Sequence, residues 1–264
     1  MNTKLLTVAR ALLPKRMHFS IFCPAFLLDR TLKRTGWRIA TGPFRGLRYL
    51  DVSFASVLIP KLLGIYEREL HKAIEEALVL GFNRIIDIGA AEGYYAVGFA
   101  SRLPQTKVWA FEADESARVL LRLLAERNAV TDQLVIRGRC EPDDLQAALP
   151  DESGKTLVIC DAEGAEATLL DPTIVPGLRS AFLLVELHPR TAPGVTELLV
   201  ERFQSTHEIQ IIPQEARIAT DYPYRSFPVK FFPRAYLENA VSEFRQPWQD
   251  WMNWYWMKPR CFSR

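Results

Sequence analysis

Two short apolar runs, each closing on an acid, limit the architecture of this chain more than any other feature. Arg84-Ile-Ile-Asp-Ile-Gly-Ala-Ala-Glu-Gly93 passes from an apolar stretch through Asp87 into a glycine turn, and a segment of helical character follows. Trp109-Ala-Phe-Glu112 then ends in a lone carboxylate. In an open α/β sheet the ends of parallel strands fall on one edge, and ligands bind along that edge. Gly89 and Gly93 let the backbone approach a ligand closely. Glu112 is placed to accept two hydrogen bonds from a ribose diol. The pattern outlines a site for a nucleoside-containing cofactor.

From residue 84 onward strand and helix patterns alternate. Strands are predicted at 84–89, 108–112, 133–137, 156–161 and 181–187, and helices at 94–102, 115–128, 142–149, 163–170 and 195–204. Such alternation means βαβ units and a parallel sheet. The runs at 84–88, 157–160 and 182–185 are apolar on both parities, as in strands covered on both faces. The expected fold is therefore α/β, a doubly wound, mostly parallel Rossmann-like sheet of about seven strands with helices on both faces and extensions at each end.

Residues 1–81 read as a basic extension. It holds helical pieces broken at Pro14 and Pro24, a hairpin from Trp37 to Leu50 and a lead-in helix from Lys61 to Leu80, stopped by Gly81. Residues 82–215 form the expected core, and 216–264 an aromatic cap completing the domain. Trp248, Trp251, Trp254 and Trp256 are four of the six tryptophans. Trp248, Trp251 and Tyr255 would share one face of a closing helix packed on the domain. An interfacial aromatic patch or a homodimer contact are the alternatives.

The net charge of +2 hides an asymmetry: residues 1–50 carry ten Lys or Arg and one acid, Asp29, which leaves −7 on the remainder. A basic head on an acidic body suits an anionic partner such as a membrane surface or a polyanionic substrate, or else is a solvated face. The four cysteines lie far apart without a CxxC pair, so neither a disulfide framework nor a zinc knuckle is expected. No apolar run reaches the roughly 18 residues of a spanning helix. No small-residue cleavage site follows the apolar stretch at 18–28, so no signal peptide is read. The expected location is the cytoplasm, with peripheral contact to the inner face of the membrane through the basic head and the Trp-rich tail.

A dinucleotide fingerprint requires G-x-G-x-x-G. Here the turn is Gly89-Ala90-Ala91-Glu92-Gly93, without the middle glycine that lets a pyrophosphate approach. That counts against a nucleotide-dependent oxidoreductase. The D-x-G-x-x-x-G pattern, with an acid ending the next strand, resembles the class I methyltransferases, which bind S-adenosylmethionine. The resemblance implies that Asp87, Gly89, Ala90, Glu92, Gly93 and Tyr94 form the first cofactor motif and that Glu112 is the ribose acid. It also implies that Arg139 and Cys140, after the third strand, lie near the adenine. Val158-Ile-Cys-Asp-Ala-Glu-Gly-Ala-Glu166 and Leu184-Val-Glu-Leu-His-Pro189 are similar to the D-x-E-G-A-E and V-E-x-H signatures of the FkbM-like methyltransferases. Tyr94-Tyr95 fits as well. One departure is Ala91-Glu92, where many relatives carry Asn and a small apolar residue. The match spans roughly residues 82–215.

Methyl transfer from a sulfonium is an in-line displacement governed by proximity and alignment. An alcohol acceptor also needs a base or a metal to take its proton. Asp161 ends one predicted strand and Glu163 follows it. Glu186 and His188 lie two apart on the next, so their side chains share a face. The resemblance implies that these strands are neighbours, which makes Asp161, Glu163, Glu186 and His188 the candidate catalytic residues, with Asp161 also touching the cofactor. The bland alternatives are a helix cap for Asp161, a first-turn acid for Glu163 and structural roles for Glu186 and His188. Three oxygens and an imidazole can hold a hard divalent ion, but no metal ligand is assigned. Glu67, beside Tyr66 on the lead-in helix, would fold over the amino-acid end of the cofactor. The resemblance implies O-methylation of a sugar, glycolipid or secondary-metabolite hydroxyl. Nucleic acid is disfavoured as a partner. The rival outside enzymes is a non-catalytic, membrane-associated binding or assembly protein.

Overall fold

The computed structural model describes residues 25–149, 155–243 and 252–262. The strands are β1 (Arg84–Ile88), β2 (Lys107–Phe111), β3 (Leu134–Arg137), β4 (Thr156–Cys160), β5 (Phe182–Glu186), β6 (His207–Ile212) and β7 (Trp254–Pro259). The helices are α1 (Ala25–Thr35), α2 (Leu58–Leu63), α3 (His71–Leu80), α4 (Tyr94–Arg102), α5 (Glu115–Arg127), α6 (Pro142–Ala148), α7 (Glu166–Leu169), α8 (Val195–Phe203) and α9 (Arg234–Val241). The sheet order is β3-β2-β1-β4-β5-β7-β6. The first five strands are parallel, and β7 runs antiparallel to both neighbours. This is the expected mostly parallel, Rossmann-like α/β architecture.

Side-chain alternation divides the core. Ile85, Val108, Leu157 and Phe182 face one side, where α3, α4 and α5 pack. Ile86, Val158 and Leu183 face the other, against α6, α7 and α8. β4 and β5 are buried at every position, as strands covered on both faces must be. The packing face of α5 follows helical spacing through Ala117, Leu120, Leu121, Leu124 and Ala125. Asp114 caps that helix by accepting from the Ser116 and Ala117 amides, an arrangement that contributes about 1 kcal/mol. A third apolar cluster joins α1, α2 and α9 through Leu27, Ile59, Leu63, Leu237 and Val241.

Four expectations need correction. The predicted lead-in helix is two helices, α2 and α3, separated by a bend. Gly64 sits at φ 75°, and a Cβ there would lie 2.0 Å from the Thr41 carbonyl oxygen. Tyr66 and Glu67 are therefore on a bend, and Glu67 itself adopts φ 46°. The 37–50 segment does double back, but through a single bridge between Arg38 and Arg48 rather than a ladder. Its far end is pinned to the end of α5 by Asn128, which accepts from the Arg48 amide and donates to the Arg48 carbonyl.

The third correction concerns the tryptophan tail. Trp254 and Trp256 lie on a strand, not on a helix. Both are buried on the α3–α5 side, while Tyr255 and Met257 are buried on the other. The period of two wins over the helical spacing because β7 fills the gap between β5 and β6 and is covered on both faces. These two tryptophans therefore form neither an interfacial patch nor a subunit contact, whereas Trp248 and Trp251 lie outside the described residues. The fourth is the helix expected at 163–170, which shrinks to α7. Glu163 and Gly164 have φ 52° and 111°, so the chain crosses from β4 in a loop. No helix among the described residues is long and apolar enough to cross a membrane.

Candidate active site

A cavity of about 580 Å³ opens beside the carboxyl ends of β1, β2, β4 and β5. Asp87, Gly89, Ala90, Glu112, Arg139, Cys140, Asp161, Glu163 and Glu186 line it, together with Tyr94 and Glu67. These strands deliver the glycine turn and the acids to one edge, as the strand ends of an open sheet should, while the loop after β3 adds Arg139 and Cys140 and the bend before α3 adds Glu67.

The loop after β1 is shaped by close contacts. A Cβ on Gly89, at φ 82°, would sit 1.8 Å from the Asp161 carbonyl oxygen. The Gly89 and Ala90 amides donate to the Phe111 carbonyl. Ala91, at φ 47°, turns its amide to Glu112 Oε2 at 2.8 Å. The other Glu112 oxygen accepts the Asp114 amide at 2.7 Å. Each oxygen keeps a second lone pair for the cavity. Asp87 is buried, and its Oδ2 has no hydrogen-bond partner among the described residues. Burial, reinforced by the Asp161 and Glu112 charges, lifts its pKa to about 7 against a bond from the Ala96 amide.

Glu92 departs from its expected role. It is absent from the cavity wall and fully buried behind the loop. There it pairs with Lys61 Nζ at 2.6 Å and accepts from Ser53 and Tyr49 at 2.6 and 2.8 Å. Burial alone would raise its pKa, but the Lys61 ammonium together with the Ser53 and backbone bonds leaves it lowered. Glu92 thus ties the loop to the N-terminal segment and does not touch the cavity. Gly93 is also off the wall; it starts α4 at φ 96°. Tyr94 packs edge-on against Phe44, Tyr49, Tyr66 and Tyr95. Glu67 accepts from Tyr95, and its own amide donates to Glu243. Arg139 is exposed and pairs with Glu141 at 3.1 Å. Burial, with the Asp144 and Glu141 charges, pushes the Cys140 thiol up to about 12, which favours the protonated thiol near neutrality.

At the β4 and β5 ends the four candidate catalytic residues converge. His188 Nε2 lies 3.4 Å from Asp161 Oδ1, 3.6 Å from Glu163 Oε2 and 3.9 Å from Glu186 Oε2. Asp161 does not cap the following helix, which has no side-chain cap, and Glu163 stands in the loop ahead of its first turn. Glu166 is the acid of that first turn; its Oε1 accepts the Ala162 and Gly164 amides of the preceding loop and faces His188 Nδ1 at 2.8 Å. Burial disfavours a charged imidazole, yet the Glu166 bond and the neighbouring carboxylates leave the His188 pKa raised. Burial, with the charges of Glu67, Glu163 and Glu166, lifts Asp161 to about 7 despite the opposing pull of His188.

Several contributors carried no assignment in the sequence. Glu166 closes the quoted D-x-E-G-A-E run and was available as a signal. Lys61 and Glu243 had none, because Lys61 meets a partner 31 residues away and Glu243 meets the Glu67 amide 176 residues away.

No protein-family model matches this chain, and no curated protein does. Among solved structures, the O-methyltransferase TomG from Streptomyces achromogenes, in complex with SAM, is 15% identical. That similarity covers 81% of this chain and 90% of TomG, with a TM-score of 0.47. An O-methyltransferase from Bacillus cereus, in complex with SAH, is 17% identical over 81% of this chain and 91% of that one, with a TM-score of 0.44. The precorrin-6y C5,15-methyltransferase of Geobacter metallireducens is 14% identical over 50% and 67%, with a TM-score of 0.39.

Proposed function

We propose that this protein is an S-adenosylmethionine-dependent methyltransferase of the FkbM-like kind, acting on a hydroxyl oxygen of a sugar, glycolipid or secondary metabolite. The observation that carries the reading is the Glu112 carboxylate, held at the cavity edge by the Ala91 and Asp114 amides beside the glycine turn. That placement suits a ribose diol. The Ala91 side chain stands where a dinucleotide-binding loop needs its middle glycine, which speaks against a pyrophosphate. Asp87 and Asp161 offer carboxylates to the ammonium and sulfonium end of the cofactor, and the wall at Arg139 and Cys140 is left for the adenine.

Bound S-adenosylmethionine supplies the electrophilic methyl group. The chain's part is to align an oxygen with it and to deal with the proton of that oxygen. The cluster of Asp161, Glu163, Glu186 and His188 is where that activation takes place in this reading. Calorimetry tests the cofactor first: S-adenosylhomocysteine binds and NAD(P) gives no heat. The reverse result supports the oxidoreductase instead, and heat from neither leaves the non-catalytic reading. Labelled S-adenosylmethionine with a panel of sugar and glycolipid acceptors then tests the transfer, and an Asp161→Ala variant that keeps full transfer removes the catalytic assignment.

A further inference from the structure

We infer that Asp161, Glu186 and His188 form a binding site for a divalent metal ion, with Mn2+ the best-matched species. One ligand atom from each residue lies within 4.8 Å of the other two. His188 lies between carboxylates at both of its ring nitrogens. Its ring is 3% exposed, and Nδ1 faces Glu166 Oε1 at 2.8 Å. That oxygen already accepts the Ala162 and Gly164 amides, so it faces Nδ1 as an acceptor. The carboxylate can only accept, so Nδ1 carries the hydrogen. In the neutral ring, Nε2 then presents a lone pair to three carboxylates.

Neither Nε2 nor Asp161 Oδ1 has a hydrogen-bond partner among the described residues. Lone pairs facing lone pairs at the cavity wall favour a cation between them. Among the described residues, the cationic side chains that line the cavity, Lys61 and Arg139, pair with Glu92 and Glu141. A second proton on the ring is the other way to supply the charge. A charge-assisted N–H···O bond would close to about 2.7–2.9 Å, whereas Nε2 stands 3.4 and 3.9 Å from Asp161 and Glu186. Ligands that share one ion at about 2.1 Å lie about 3 Å apart when adjacent and about 4 Å apart when opposite. The His188–Asp161 and His188–Glu186 separations of 3.4 and 3.9 Å fall in that interval.

The surroundings suit such a site. Asp161 and Glu186 sit at the ends of adjacent, hydrogen-bonded strands, and the Asp161 amide donates to the Ile88 carbonyl at 2.9 Å. Glu166 behind His188 makes the carboxylate–imidazole–metal relay that fixes the tautomer of a ligating histidine. Asp161 and Glu163 border the open cavity, which leaves coordination positions for water or an acceptor oxygen. Two carboxylates and one imidazole form a harder set than zinc sites favour and a softer one than magnesium or calcium sites do.

Binding is testable without any methyl acceptor. Chelator-stripped, full-length protein is titrated with MnCl2, free Mn2+ is followed by electron paramagnetic resonance, and S-adenosylhomocysteine binding is measured in parallel. One tightly held Mn2+ per chain is expected. Glu186→Gln and His188→Ala should weaken it more than 10-fold, and Glu166→Gln by roughly 10- to 100-fold. The isosteric Glu186→Gln keeps the test valid should His188→Ala not fold. The inference is overturned if millimolar Mn2+ does not bind the wild type, or if Glu186→Gln binds it equally well. A protein that binds Mn2+ but not S-adenosylhomocysteine would refute the methyltransferase reading and leave the metal site standing.

Discussion

The Ala91 amide donates to Glu112 Oε2 at 2.8 Å, so a single carboxylate joins the loop after β1 to the end of β2. The same group is the proposed ribose ligand. Glu112→Gln keeps the shape but sets an NH2 group against one of two backbone amides and removes the charge. Bonds to a charged group are worth about 1.5–3 kcal/mol. S-adenosylhomocysteine affinity should therefore fall roughly 10- to 100-fold by calorimetry, with the melting temperature lowered by only a few degrees. Unchanged affinity would remove Glu112 from the site.

Gly89 allows a direct steric test. Alanine there has to place a Cβ 1.8 Å from the Asp161 carbonyl oxygen at a φ of 82°, which forces the loop off β4. Gly89→Ala should abolish detectable cofactor binding. Gly138→Ala, where nothing lies within 4 Å of the added carbon, should bind normally. Equal affinities in the two variants would mean that this loop does not contact the ligand.

Asp87 predicts a pH dependence. Its folded pKa of about 7 exceeds the ordinary 3.8, chiefly through burial. The folded state keeps a proton that the unfolded state has lost, so this group's contribution to stability is full below the ordinary value and is lost as pH rises through about 7. With chelator present, thermal melts of Asp87→Asn and wild type should diverge in favour of the variant between pH 5 and pH 8. Wild-type affinity for the cationic cofactor should rise over the same interval as the carboxylate ionises. A pH-independent difference between the melts would place the Asp87 pKa in the normal range.

The Lys61–Glu92 pair predicts a stability effect. Both side chains are almost wholly buried, and removing one partner strands the other at a penalty of about 3–5 kcal/mol. Lys61→Met should lower the melting temperature by roughly 10 °C. Adding Glu92→Gln should restore much of the loss, because the stranded charge is then gone. A double variant no more stable than Lys61→Met would show that the charge itself is not the cause.

Parallel strands of the core could be read in the sequence because their apolar runs are continuous and their turns carry glycine and acid signals. Glu112 followed from its place at a strand end, whereas Asp161 and Glu186 also needed the resemblance that made their strands neighbours. The misplacements share a different cause. Trp254 and Trp256 have an apolar alternation that is also compatible with a helix, and only the space between β5 and β6 decides between them. Glu92 looked like a ligand because it stands within the turn, yet its direction depends on Lys61, which local sequence cannot place. The break between α2 and α3 depends on Thr41 meeting Gly64 across 23 residues.

The reversed strand β7 has a consequence for biosynthesis. It joins the sheet between β5 and β6, although β6 leaves the ribosome first. Until residues 254–259 emerge, a nascent chain holds β6 with no place to dock and β5 with an apolar edge open to other polypeptides. Polypeptides arrested before Trp254 should lean on chaperones and clump readily, whereas those released beyond Pro259 should seal that edge at once.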